Sequence, residues 1–201
     1  MRFSQDGELL VTGGRDRVVC IRNSRTLEPV RRIAGFAGPI TDVSLSDRDH
    51  LLAACDGSQG SIWAGGSSKT IQTVLGASHI RFVDGNRVIA AGEGGYGICL
   101  LDGVEERVFI DSVARSRVTG VDVSPDGTHA VIGFQSGSLA VCNTHTLRHN
   151  VLDGSTEPVL AVEFSPDGNT IAAADRLGIV RLWNAHIGHL MIDGMPTISE
   201  P

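Results

Sequence analysis

A chain of 201 residues, 41% apolar and 20% charged, can bury a real core and is neither a disordered sequence nor, with no run near ~20 uninterrupted apolar residues, a helical membrane one. A net charge of -6 argues against general affinity for nucleic acid, which needs clustered cations to displace phosphate counterions. The N-terminus lacks the charged-then-apolar pattern of a secretory leader, and Cys20, Cys55, Cys99 and Cys142 are widely spaced with no CxxC, so unpaired core thiols in a cytoplasmic, reducing compartment are expected.

The chain opens in a strand, Met1 to Phe3, that meets the turn Ser4-Gln5-Asp6-Gly7. Glu8 to Thr12 follows, then a break at Gly13 to Arg17 and a third run, Val18 to Arg22. The same pattern returns at Ile40 to Leu45, Leu51 to Cys55 and Ile62-Trp63. It returns again at Ile80 to Phe82, Val88 to Ala91 and Ile98 to Leu101, and a fourth time at Val118 to Val123, Ala130 to Ile132 and Leu139 to Cys142. The fifth copy is the clearest: Val159 to Phe164 ends at Ser165-Pro166-Asp167-Gly168, Thr170 to Ala174 breaks at Asp175 to Gly178, and Ile179 to Trp183 closes it. Proline presets φ for such a turn and glycine accepts the positive φ that completes it, so each triplet of runs reads as an antiparallel meander. A fourth candidate strand lies between copies each time, at Pro29 to Ile33, Thr70 to Leu75, Glu106 to Ile110 and Leu147 to Leu152.

The residues that end the first run of each copy, Phe3, Leu45, Phe82, Val123 and Phe164, are 42, 37, 41 and 41 positions apart. A period near 40 with four strands per period is the signature of propeller blades, and the predicted fold is all-β: a β-propeller of about five four-stranded blades. The repeats run over about 1–23, 29–64, 70–102, 106–143 and 147–184, with an extra outer strand at 188–193. The apolar triplets Val159, Val162, Phe164, then Val118, Val121, Val123, and Ile40, Val43, Leu45 each contain a three-residue step within a strand, which predicts a bulge or a strong twist.

These residues resemble the WD-repeat propellers, whose blades end in Trp-Asp after a Ser-Pro-Asp-Gly hairpin. Leu182-Trp183-Asn184 stands in the Trp-Asp position, and Asp102 and Asn143 hold equivalent closing positions. Phe36 and Ser155 stand where the family has its structural histidine, and only Asp16 matches its buried turn aspartate, so the polar network of the family is expected to be largely missing. The resemblance leaves two architectures. In one, His189 to Ile192 pairs alongside the N-terminal blade and closes a five-blade ring; in the other, the chain is a piece of a larger, commonly seven-bladed propeller. The short first strand favours the second.

No catalytic constellation emerges. Gly92-Glu93-Gly94-Gly95-Tyr96-Gly97 matches GxGxxG, but strand rather than helix follows, so it reads as a hairpin and not a dinucleotide site. His186 and His189, three apart in a strand, point to opposite faces and make a poor metal pair. No cofactor or metal is expected. Residues 1 to 34 hold seven arginines against four acids, a basic segment suited to an acidic or phosphorylated peptide. The resemblance implies a non-catalytic scaffold that binds a protein or peptide on one face of the propeller, with no nucleic-acid or membrane partner. Carried over by blade position, that face holds Arg15, Phe36, Tyr96, Arg115, Gln135 and Arg176. The alternative is a propeller enzyme or small-ligand module using the central cavity.

Overall fold

The computed structural model describes residues 1–4, 6–46, 52–57, 60–64, 67–71, 76–93, 95–100, 106–109, 116–152, 155–185 and 190–194. Strand is the only regular element among them. The first sheet holds β1 (Arg2–Phe3), β2 (Leu9–Gly13), β3 (Val19–Asn23) and β4 (Pro29–Ile33). The second holds β5 (Asp42–Leu45), β6 (Leu52–Cys55), β7 (Gly60–Ala64) and β8 (Ser67–Ile71), and the third β9 (Ala77–Phe82), β10 (Arg87–Gly92), β11 (Gly95–Leu100) and β12 (Glu106–Phe109). The fourth comprises β13 (Val118–Val123), β14 (His129–Phe134), β15 (Leu139–Asn143) and β16 (His149–Leu152), and the fifth β17 (Val159–Phe164), β18 (Thr170–Asp175), β19 (Val180–Asn184) and β20 (Leu190–Gly194). Every sheet is an antiparallel meander in chain order. The chain divides into two compact units, Met1–Asp111 with the first three sheets and Ser112–Pro201 with the last two.

Two groupings differ from those read in the sequence. The fourth strand of each period pairs back onto the run before it, as in Val19↔Ile33 and Leu139↔Leu152, so the hydrogen-bonded sheets span 2–33, 42–71, 77–109, 118–152 and 159–194. Loop length explains the choice. Asn23 Oδ1 accepts the amides of Arg25 and Thr26, both at 2.9 Å, and Asn143 Oδ1 those of His145 and Thr146 at 3.1 and 2.9 Å. These short side-chain-closed turns return the chain at once, whereas eight residues separate β4 from β5. Secondly, β20 pairs with β19, through Leu182↔Ile192 and Trp183↔Leu190. Leu190 to Ile192, which only the five-blade reading set alongside the N-terminal sheet, are therefore in the outer strand of the fifth; His189 lies outside the described residues.

The Ser-x-Asp-Gly turns are built alike. Ser165 Oγ donates to Asp167 Oδ1 at 2.5 Å, Asp167 Oδ1 accepts the Asn169 amide at 3.0 Å, and Ser165 Oγ accepts the Thr170 amide at 2.9 Å. Ser4–Asp6 and Ser124–Asp126 repeat these bonds. Gly7, Gly127 and Gly168 close them at φ 71, 70 and 74°.

Of the three triplets, two carry bulges, in β13 and β17, and the paired register of β5 with β6 runs without a shift. Register shifts between Val118 and Gly120 and between Val159 and Ala161, and the extra residue lets Val159 and Val162 both face inward while Leu160 stays out. Within each unit, consecutive sheets pack through apolar side chains. Val11, Val19, Ile21 and Ile33 of the first meet Ile40, Val43 and Leu52 of the second. Val131, Leu139, Val141 and Leu152 of the fourth meet Val159, Val162, Phe164, Ile171 and Trp183 of the fifth. Where these sheets approach closest the second strand keeps a small residue: a Cβ on Gly13 would lie 2.3 Å from Ile40, and one on Gly133 2.7 Å from Val159. Cys20, Cys55 and Cys142 are free thiols, and burial pushes Cys55 up to about 12.

Candidate interaction surface

In the first, fourth and fifth sheets, the turn after the second strand is tied down through its backbone. Gly14 O accepts the Ile40 amide at 3.0 Å, the Gln135 amide donates to Arg117 O at 2.9 Å, and the Arg176 amide donates to Pro158 O at 2.9 Å. The side chains of Arg15, Gln135 and Arg176 are exposed. These three share one register position. Each lies five residues beyond the partner of the strand-ending residue, in the pairs Phe3↔Leu10, Val123↔Ala130 and Phe164↔Ile171. Arg15 in the first unit and Gln135 and Arg176 in the second are thus exposed turn residues.

Phe36 and Tyr96 do not belong to it. Phe36 is buried in the core between the first two sheets, where the β4–β5 loop turns its ring inward. Tyr96, 2% exposed, is the one bulky side chain in a stretch of glycines and pairs with Ala91. Arg115 lies outside the described residues.

Asp16 is exposed, and the buried turn carboxylates are Asp56 and Asp175. Asp56 Oδ2 accepts the amides of Ala37 and Gly38, both at 3.2 Å. Asp175 accepts Ser155 Oγ at 2.7 Å, Arg181 Nη1 at 2.8 Å and the amides of Leu177 and Ile179 at 3.0 and 3.1 Å. In the first unit Asp42 Oδ2 pairs with Arg81, accepts the Ile80 amide at 3.1 Å and lies 3.9 Å from His79 Nδ1. A polar network therefore exists, contrary to the expectation from the family's missing histidines, and Ser155 takes part in it. The signal for Asp56 and Asp175 was an acid directly after a small apolar run, Ala53-Ala54-Cys55 and Ala172-Ala173-Ala174.

Burial by itself would raise the Asp175 carboxyl, but its hydrogen bonds from Ser155, Arg181 and two amides outweigh this and hold it at about 2, below its ordinary 3.8. Stability from a depressed carboxylate is full above its unfolded pKa and is lost as pH falls through the folded one. The melting temperature should drop between about pH 4 and pH 2. Asp126 and Asp167, also held at about 2, titrate in the same window. The report on Asp175 is thus the gap between wild type and Asp175→Asn, which should be wide at neutral pH and narrow as pH approaches 2; a constant gap would show that this carboxylate does not hold the turn.

At the end of the fourth and fifth sheets opposite the Gln135 and Arg176 turns, a cleft of about 240 Å³ lies between the β13–β14 and β17–β18 turns, lined by Asp126, His129, Phe164 and Asp167. It is below the ~300–1,000 Å³ of small-molecule sites, and both aspartates are committed to closing their own turns. The GxGxxG stretch is the β10–β11 hairpin, with Gly92 paired to Gly95. Among the described residues no three His, Cys, Asp or Glu side chains gather as a metal site; His186 and His189 lie outside them.

Five four-stranded antiparallel meanders, packed sheet on sheet within each unit, are the blades of a β-propeller. The β-propeller domain of Cps50 (Swd1) from Myceliophteria thermophila superposes with a TM-score of 0.80 at 18% identity, over 91% of this chain and 64% of that one. The family described as WD domain, G-beta repeat, matches residues 1–23 and 144–184. Transducin beta-like protein 3 of Bos taurus is 22% identical over 91% of this chain and 25% of its own length. Serine-threonine kinase receptor-associated protein of Homo sapiens is 21% identical over 92% of this chain and 54% of its own. Meiotic recombination protein rec14 of Schizosaccharomyces pombe is 38% identical over 34% of this chain and 23% of its own. The WD repeat is thus matched at the first and last of the sheets, the chain as a whole is similar to divergent WD-repeat proteins, and it spans from about a quarter to about half the length of these curated relatives.

Proposed function

We propose that the chain is a non-catalytic interaction scaffold that takes a protein or peptide partner on the loop ends of its blades, in a cytoplasmic, reducing setting. The observation that carries this reading is the shared turn position of Arg15, Gln135 and Arg176, where an exposed side chain stands on a turn held by backbone hydrogen bonds. A pre-ordered turn loses little entropy on binding, which leaves more of the contact energy as affinity. Two of the three are arginines and residues 1–34 are net basic, which favours an acidic or phosphorylated partner, because guanidinium forks bind such groups bidentately. The free thiols favour the reducing setting.

The test is affinity capture from a lysate with mass-spectrometric identification, run in parallel on wild type, Arg15→Glu and Arg176→Glu. Both side chains are exposed, so melting should be unchanged while capture of the specific partners falls roughly tenfold or more in at least one variant. Equal capture by all three proteins would remove these turns from the surface. Turnover in a hydrolase substrate panel would overturn the non-catalytic reading.

A further inference from the structure

The residue after Arg15 is Asp16 and the residue after Gln135 is Ser136, but the residue after Arg176 is Leu177. The three turns close in the same way. The amides of Arg17, Gly137 and Gly178, all at positive φ, donate to Gly14 O, Phe134 O and Asp175 O at 3.2, 3.0 and 3.0 Å. Asp16 is exposed although the second sheet packs against the first, and Ser136 is exposed although the fifth packs against the fourth. The position therefore faces solvent with a neighbouring sheet in place, so the exposure of Leu177, 62%, belongs to the turn itself. Aspartate or serine suits such a position. A leucine there covers no core and leaves apolar surface in water, so folding gives no reason for it.

What lies under and beside Leu177 makes it an anchor. Asp175 Oδ1 accepts the Leu177 amide at 3.0 Å and the Ile179 amide at 3.1 Å, which pins the backbone from inside the turn. A side chain presented from a fixed backbone loses little freedom when a partner covers it. Arg176, next to it, is exposed. Arg181, at 2.8 Å, already balances the buried Asp175 carboxylate, so that carboxylate does not cancel the charge of Arg176. Singly exposed leucines are ordinary on protein surfaces; this one stands on a pinned turn with a guanidinium alongside.

We propose, building on the scaffold reading above, that Arg176 and Leu177 form a two-point anchor for a peptide in which an apolar side chain lies next to an aspartate or glutamate. The peptide's apolar side chain covers Leu177, and its carboxylate meets the Arg176 guanidinium. Exposed ion pairs alone hold weakly and are screened by salt, so the leucine contact carries the selectivity and persists when salt is added. The turns that hold Asp16 and Ser136 offer no such apolar contact.

The experiment pans a random peptide library on the full chain and measures the enriched peptides by fluorescence anisotropy against wild type, Leu177→Ser, Leu177→Met and Arg176→Gln. The substitutions fall on exposed side chains, and serine is what the fourth sheet carries at this position, so melting should be unchanged. Enriched peptides should carry Leu, Ile, Met or Phe beside Asp or Glu. Leu177→Ser and Arg176→Gln should each bind them roughly tenfold or more weakly, and Leu177→Met, which keeps the apolar reach, should bind like wild type. A library that yields no binders, binders without an apolar residue, or equal binding by Leu177→Ser would each overturn the anchor. Acidic peptides that depend on Arg176 but not on Leu177 would do so while leaving the scaffold reading intact, whereas the scaffold itself stands or falls on capture from the lysate.

Discussion

Trp183→Ala should lower unfolding free energy by about 3–5 kcal/mol, the range for a large aromatic removed from a packed core. Trp183 is 1% exposed, pairs with Ile171 and Leu190 in its own sheet, and joins the cluster that includes Val131, Leu139 and Val141 of the fourth. An indole buries roughly 150–250 Å², and no neighbouring strand can close over a hole of that size without breaking its ladder. Set against a net stability of about 5–15 kcal/mol, the loss is a large fraction of the whole. Urea denaturation followed by circular dichroism reads it directly. Arg22 gives the control: it occupies the equivalent place in the first sheet, through Leu10↔Arg22, but is only half-buried, its guanidinium donating to Leu27 O. Arg22→Ala should cost less than about 1 kcal/mol. Similar losses at the two positions would mean that Trp183 does not sit between sheets.

What could be read in the sequence, and what could not, follows from how local each feature is. The Ser-x-Asp-Gly turns, the hairpins they close and the bulge ahead of Val162 are all encoded within about ten residues, and each has the structure its chemistry demands. Assigning the fourth strand to a sheet is not local. A pattern with a period near 40 looks the same whether the blade is cut before or after that strand, and only the short Asn23 and Asn143 turns decide it. The carboxylates were misjudged for a similar reason. Asp16, Asp56 and Asp175 all stand in turns, but Asp56 is covered by the Ala37-Gly38 backbone and Asp175 by Ser155, while Asp16 has solvent over it. A side chain's burial depends on a loop about 20 residues away in sequence. Phe36 and Tyr96 illustrate the same limit, since blade position placed them at a loop end but their volume was needed inside. Arg15, Gln135 and Arg176 were legible because an exposed turn position depends on nothing beyond the turn.

Gly137→Ala should destabilise the protein by about 2–5 kcal/mol, of which about 1–2 is backbone strain and the rest collision with the next sheet. Gly137 sits at φ +93°, and its Cβ would lie 2.1 Å from Ser155 O and 2.7 Å from Glu157 O, backbone atoms that cannot rotate aside. Relief requires the 155–157 loop to lift. Because Ser155 on that loop donates to Asp175 at 2.7 Å, lifting it also loosens the buried carboxylate. Gly178→Ala separates the two contributions. It has φ +79° at the same register position with nothing within 4 Å, so it should cost only the strain, about 1 kcal/mol. A double-mutant cycle then tests the coupling. If Gly137→Ala already parts Ser155 from Asp175, Ser155→Ala should add little in that background, with an interaction energy of about 1 kcal/mol, whereas it should cost its full hydrogen bond in the Gly178→Ala background. Equal costs for the two glycine substitutions, or full additivity in both cycles, would mean that the fourth and fifth sheets are not locked at this end.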